Sequence, residues 1–400
     1  MSTQKGVTYP KGFRAAGAAC GLKKNGNADV ALVVSGTPAT AAAGIFTRNV
    51  VKGHSLQLCR KHAAGGCARA VVINSGCANA CLGERGDQDA WAMAELTAQA
   101  VGCEPAEVLP GSTGVIGVPL DMGKLSVGIA AAAKALSADG GEAAARAIMT
   151  TDTVDKQAGV EITIGGVPVR IGGMAKGSGM IHPNMATMIA VLTSDCAIEA
   201  DALQQSLSAA AAVSFNRISV DGDTSVCDKA VALAGGASGC PTVRAGTPEH
   251  SAFTEGLSRV CHTLARMLAA DGEGATKLLE IRVNGLPTAQ DALQVAQAVA
   301  KSPLVKTAAF GCDANWGRIL TAAGYSGVDF NPDLAEVFIG AVQVCAGGRA
   351  LPFDEGLALA ELQRPEVLLR LEFHQGDCAD FMLTCDLTYD YVKINGSYRT

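Results

Sequence analysis

Several things are scarce in this 400-residue chain. Aromatic residues are 4% of it and charged residues 18%, and no run of lysine or arginine breaks a formal net charge of −6. Nucleic acid is therefore not an expected partner. Neutralising phosphates needs a clustered basic footprint, and holding single strands needs stacking rings. No apolar stretch reaches the roughly 18 uninterrupted residues of a membrane helix, and Met1–Gly6 has no apolar core behind a basic start. A cytoplasmic protein with no membrane partner is the expectation. Cysteine is plentiful, at 14 residues, but no pair has CxxC spacing, and the closest pair is Cys77 and Cys81. Scattered thiols without secretory targeting are expected to stay reduced, and the six histidines show no zinc-like spacing, so no metal is expected. Nucleophile elbows, HExxH helices, Walker loops and dinucleotide-binding glycine motifs are also missing.

What is present is alternation of apolar runs with amphipathic stretches. Strands are expected at Val30–Val34, Ala70–Ile73, Ile189–Leu192, Leu278–Val283, Leu368–Phe373 and Asp380–Leu387. The alternating Glu161–Ile171 stretch, folded at Gly165-Gly166, predicts a hairpin. Helices are expected from Asp87 to Val101, Lys124 to Ser137, Glu142 to Met149, Ser194 or Asp195 to Val213, Pro248 to Leu268 and Thr288 to Ala300. Gly12–Gly17 and Leu109–Gly117 read as loops, and Asn216–Asp223 as a strand ending in acidic residues. The length favours two core-forming layers or two subdomains, and the pattern is layered α/β with sheets covered by helices.

The most crowded segment is Lys176-Gly-Ser-Gly-Met-Ile-His-Pro-Asn-Met-Ala-Thr-Met188, directly before the apolar run from Ile189. A threonine behind such a turn is a poor nucleophile unless a base adjoins it. A free α-amine on the same residue would be that base. Thr187 gains the amine only if the Ala186–Thr187 bond is cut. The Thr187 hydroxyl can do this by attacking the Ala186 carbonyl, forming an ester that water then hydrolyses.

This segment resembles the self-processing motif of the ornithine acetyltransferase family, the glutamate N-acetyltransferases of arginine biosynthesis. So do Gly111-Ser-Thr-Gly114, Met149-Thr-Thr-Asp-Thr153, Asn216–Ser225, Asp271-Gly-Glu-Gly-Ala-Thr-Lys277, Asp313–Arg318 and Asn395–Thr400, collinear along the chain. The resemblance implies an α chain, 1–186, and a β chain, 187–400, associated as an α2β2 heterotetramer. It implies a layered sandwich of stacked sheets between helices, similar to N-terminal nucleophile hydrolases but differently connected. It also implies that Thr187 carries acetyl from N2-acetyl-L-ornithine to L-glutamate, with no cofactor, and leaves acetyl-CoA open as a second donor. Thr113 and Gly114 would form the oxyanion hole, and Thr150, Lys176, Thr187, Glu273, Asn395 and Thr400 would touch substrate. Lys176 suits a carboxylate and Glu273 an ammonium. His182 has no role in this scheme; a histidine packed in the turn is the expectation. A self-processing amidase or aminopeptidase, and an uncleaved small-molecule-binding protein, are the alternatives.

Overall fold

A computed structural model describes residues 6–182 and 188–397. The described residues divide into two units, 6–216 with 223–264, and 217–222 with 265–397.

Among the described residues the first unit contains the strands β1 (Phe13–Ala18), β2 (Val30–Ser35), β3 (Ala41–Phe46), β4 (Ala70–Cys77), β5 (Val108–Val115), β6 (Lys156–Ile164), β7 (Val167–Lys176), β8 (Ile189–Ser194) and β9 (Lys229–Ala234). Its helices are α1 (His54–Ala63), α2 (Glu84–Val101), α3 (Met122–Lys134), α4 (Gly141–Ala147), α5 (Ala200–Ala212) and most of α6 (Pro248–Ala270). One sheet has the order β1-β2-β4-β5 and the other β3-β9-β8-β7-β6. Both contain parallel and antiparallel pairs, with β4/β5 and β8/β9 parallel.

Strand periodicity explains how the sheets stack. Ala31 and Val33 of β2 join Val71 and Ile73 of β4 in one core cluster, which also holds Ile189 and Val191 of β8 and Val231 and Leu233 of β9. Side chains two residues apart share a face, so this cluster is the dry layer between the two sheets. Val30, Leu32 and Val34 point the other way and pack with Met93 of α2 and Leu125 and Ile129 of α3. On the far side of the five-stranded sheet, Gly256 of α6 sits against Ile162 and Ile171, where an added Cβ would come within 2.9 Å of the Ile162 side chain. The expected layering of stacked sheets between helices is thus present in this unit.

The second unit contains β10 (Leu278–Leu286), β11 (Glu336–Ile339), β12 (Val342–Ala346), β13 (Arg349–Ala350), β14 (Glu366–Glu372) and β15 (Cys378–Cys385) in one sheet of order β13-β12-β11-β14-β10-β15. Its helices are α7 (Ala289–Lys301), α8 (Pro303–Phe310), α9 (Trp316–Gly324), α10 (Glu355–Leu362) and α11 (Tyr389–Ser397). Leu279, Ile281 and Val283 of β10 meet Val295, Val299 and Ile319 of the helices in its core. The alternate positions Glu280 and Arg282 carry charge, and Arg266 pairs with Glu280 and Glu366.

Four local expectations are corrected. Phe13–Ala18 is strand β1 rather than loop, because it pairs with β2 along its whole length. Leu109–Val115 belongs to strand β5 rather than a turn. Pro110 is tolerated there because β5 is an edge strand, and Gly111 leaves space for the Lys229 ammonium, which an added Cβ would approach to 2.6 Å. The helix expected from Ser194 or Asp195 begins only at Ala200, since the Asp195 carboxylate instead accepts the N–H groups of Lys11 and Arg170. Asn216–Asp223 is no strand: Phe215–Arg217 form one 3-10 turn, and only Ile218 bridges to Leu383.

Candidate active site

The residues singled out in the sequence fall into two groups, one in each unit. Ala186 and Thr187, the proposed cleavage pair, and Thr400 lie outside the described residues. His182 is half-buried.

The group in the first unit is built on strand ends. Lys176 closes β7 and stands opposite Ile189, the first residue of β8, which in turn stands opposite Lys229 of β9. Both ends of the 177–188 connection are therefore pinned side by side. Lys176 is buried, and its Nζ donates to Thr150 Oγ1 at 2.8 Å and to Thr113 Oγ1 at 3.4 Å. Three of the predicted residues are thus in mutual contact. Because Thr113 Oγ1 accepts from Lys176, its own hydroxyl proton remains available to donate.

Gly114 follows at φ +129°, opposite Gly76 at a break in the β4/β5 register. A Cβ there would lie 2.4 Å from the Gly76 carbonyl carbon, so no other residue fits. A bulge of this kind re-aims backbone groups at a strand end. Beneath it, Ser112 Oγ donates to Asn74 Oδ1 at 2.6 Å and lies 2.8 Å from Ser55 Oγ, which fixes β5 from behind.

Charges surround Lys176 in numbers that sequence reasoning missed. Asp152 Oδ1 accepts from Lys156 Nζ at 2.7 Å and from the Gly177 N–H at 2.6 Å, while Oδ2 accepts the Thr150 N–H at 3.0 Å. Burial works to raise the Asp152 pKa, but Lys176 and Lys156 outweigh it and hold the carboxyl down at about 2. Burial also pushes Lys176 down, and the Asp152 charge pulls it back. Asp228 precedes β9, is fully buried and has an Oδ1 without a hydrogen-bond partner among the described residues. Burial pushes its carboxyl well above the usual range. Cys227 beside it is pushed up to about 12, first by burial and then by Asp228. Lys229 Nζ donates to the Pro110 carbonyl at 2.6 Å and to Cys59 Sγ at 3.4 Å. The available signal was a charged residue opening an otherwise apolar strand, as Lys229 does in β9.

In the second unit the structure brings Glu273 and Asn395 together. Asn395 Nδ2 donates to Glu273 Oε2 at 2.7 Å, and Glu273 is buried. Its loop is held by Asp386, whose carboxylate accepts from Thr276 Oγ1 and from the Thr276 and Lys277 N–H groups. Gly274, at φ +69°, lies so close to Tyr391 that a Cβ would stand 2.6 Å from its nitrogen. One group therefore offers a buried ammonium with hydroxyls, and the other a buried carboxylate with an amide. Those are complements of a substrate carboxylate and a substrate ammonium. Among the described residues no group of three or more His, Cys, Asp or Glu side chains could hold a metal ion, and no helix is long and apolar enough to cross a membrane.

Comparisons with known proteins identify the family. An arginine biosynthesis bifunctional protein ArgJ of Symbiobacterium thermophilum is 52% identical over 397 residues, 99% of this chain and 98% of that protein. Its counterpart in Caldanaerobacter subterraneus is 46% identical over 98% of both chains. A solved structure of arginine biosynthesis bifunctional protein argJ from Bacillus halodurans, 41% identical, covers 52% of this chain and 98% of its own, with a TM-score of 0.51. The family model for ArgJ matches residues 14–400, and the chain belongs to the ArgJ family.

Proposed function

We propose that this chain is an acetyltransferase of arginine biosynthesis. It cuts itself between Ala186 and Thr187, then moves acetyl from N2-acetyl-L-ornithine to L-glutamate through an acetyl-Thr187 intermediate. The observation that carries the reading is the Lys176–Thr150–Thr113 contact beside the Gly114 bulge. It combines a cation for a substrate carboxylate with a free hydroxyl proton and a re-aimed strand end for a developing oxyanion.

In the transfer, the Thr187 hydroxyl attacks the acetyl carbonyl and gives its proton to the Thr187 amine. The amine returns that proton to the departing ornithine nitrogen, and glutamate's amine repeats the sequence in reverse. Thr113 Oγ–H and the Gly114 N–H donate to the oxyanion of each tetrahedral intermediate, where one such donor is typically worth about 3 kcal/mol. Lys176 with Thr150 takes the amino-acid carboxylate, and Glu273 with Asn395 an ammonium; Thr400 completes the set by family resemblance. No cofactor enters this scheme. Acetyl-CoA as an alternative first donor is consistent with the bifunctional naming of the relatives.

Processing draws support from chain length. The solved Bacillus halodurans chain is matched over 98% of itself yet spans only 52% of this one. Residues 187–400 are 214 of the 400. An α2β2 assembly in the cytoplasm completes the proposal.

N-terminal sequencing of the denatured protein tests it first: a band beginning Thr187-Met188-Ile189-Ala190 is expected. Acetylornithine should then give stoichiometric N-acetylglutamate when glutamate is present. Free acetate in its place would identify an amidase, and a single unbroken chain would remove the mechanism.

A further inference from the structure

A single carboxylate outside the predicted set joins every part of the Lys176 group. Asp152 has a fully buried side chain that binds the Thr150 N–H, the Gly177 N–H and Lys156 Nζ at once. The first two belong to the two residues that bracket the Lys176–Thr150 contact: Thr150 itself, and Gly177 directly after Lys176. The clamp therefore sets the separation of the backbones from which that contact is made. Through Lys176 it also reaches the Thr113 hydroxyl.

Its charge gives the clamp a second consequence. Asp152 lies against two buried lysines, Lys156 and Lys176, whose charges hold its carboxyl down. The other groups facing Lys176 are Asp228 and Cys227, both of which burial pushes up, and Lys23, which burial lowers to about 8. Lys176 has a third N–H beyond its two threonine bonds. A ligand carboxylate would accept it.

We infer that Asp152 is the positioning residue of the acetyl-transfer site: it aims Lys176 and places a negative charge beside it, so that a substrate carboxylate, that of glutamate included, can take the remaining Lys176 N–H. The inference rests on the proposed transfer reaction. It makes Asp152 the residue that sets the pH range over which carboxylate substrates bind.

Asp152→Asn in the full chain tests it, with glutamate KM measured from pH 6 to 9. Wild type should keep a flat KM up to the pH at which Lys176 loses its proton. The variant, lacking the compensating anion, should show a glutamate KM about tenfold or more higher at pH 8, falling toward wild type as the pH drops to 6, with kcat changed less. Lys156→Met removes the competing cation and should move the same pH limit upward, the opposite direction. This second variant decides the matter if Asp152→Asn does not fold or process. Glutamate KM values that are raised equally at every pH in Asp152→Asn, or a limit that Lys156→Met leaves unmoved or lowers, would make Asp152 a structural residue only. Wild-type enzyme that transfers no acetyl to glutamate would instead sink the proposed function itself.

Discussion

Burial lowers the Lys176 pKa and Asp152 opposes that, and the residue scale is where the account is most exposed to test. Removing its ammonium with Lys176→Met deletes a charge-assisted contact worth about 1.5–3 kcal/mol, so glutamate KM should rise about 10- to 100-fold. An unchanged KM would dissociate Lys176 from the carboxylate. Asp152 and Asp228 should affect stability with opposite signs. The Asp152 pKa is depressed to about 2 from an ordinary Asp value of about 3.9, so it contributes about 2 kcal/mol above pH ~4 that is lost as pH falls toward 2. Denaturant titrations of Asp152→Asn should lack that acid limb. The Asp228 pKa is raised, so its ionisation opposes folding as pH rises above the ordinary Asp range. Asp228→Asn should therefore melt at a higher temperature than wild type at pH 8, and the gain should vanish by pH 4. Equal melting shifts at both pH values would contradict a raised Asp228 pKa. Thr113, Lys176 and Thr150 were legible in the sequence through motif resemblance. Asp152 was inside one of those motifs, but its role depends on Lys156 and Gly177, and local sequence says nothing of burial or of what folds beside it.

At the scale of elements, strong periodicity was readable and edge geometry was not. The β6–β7 hairpin turns at Gly165-Gly166 as expected, both at positive φ, and Thr288 caps α7 by accepting from the Asp291 N–H. Strand β5 was hidden because its Pro110 and glycines look like turn chemistry. Gly111 makes room for a lysine from the other sheet and Gly114 for the Gly76 backbone, both visible only after folding. Strands β11–β13 and helices α1, α8 and α10 are short and carry weak patterns, so tertiary packing rather than local propensity defines them. The Glu273 loop is an element whose shape depends on Asp386. Asp386→Ala should leave three donors without their acceptor, cost about 2 kcal/mol or more in stability, and raise KM for acetylornithine more than it lowers kcat. A kcat loss with unchanged KM would remove Glu273 from ammonium binding.

Across the whole molecule, the cleavage expected between 186 and 187 does not divide the fold. β7 lies before that bond and β8 after it, yet they pair along Ile171–Lys176 and Ile189–Ser194, and β3 pairs with β9. The two products share one sheet and one core, so they should co-elute as a single species and separate only on denaturation. Products that part in native buffer would contradict this interleaving. The same arrangement makes the cut economical, because it changes one bond and leaves the layered scaffold in place. Thr187→Ala should abolish both scission and transfer, and Thr187→Ser should retain some of each, since hydroxyl and amine both survive. Most direct is the intact mass of the denatured enzyme after incubation with N2-acetyl-L-ornithine in the absence of glutamate. The account predicts a 1–186 chain of unmodified mass and a 187–400 chain heavier by one acetyl group, which is lost on adding glutamate. A single 400-residue mass, or an acetyl group that never appears on the 187–400 chain, would contradict it.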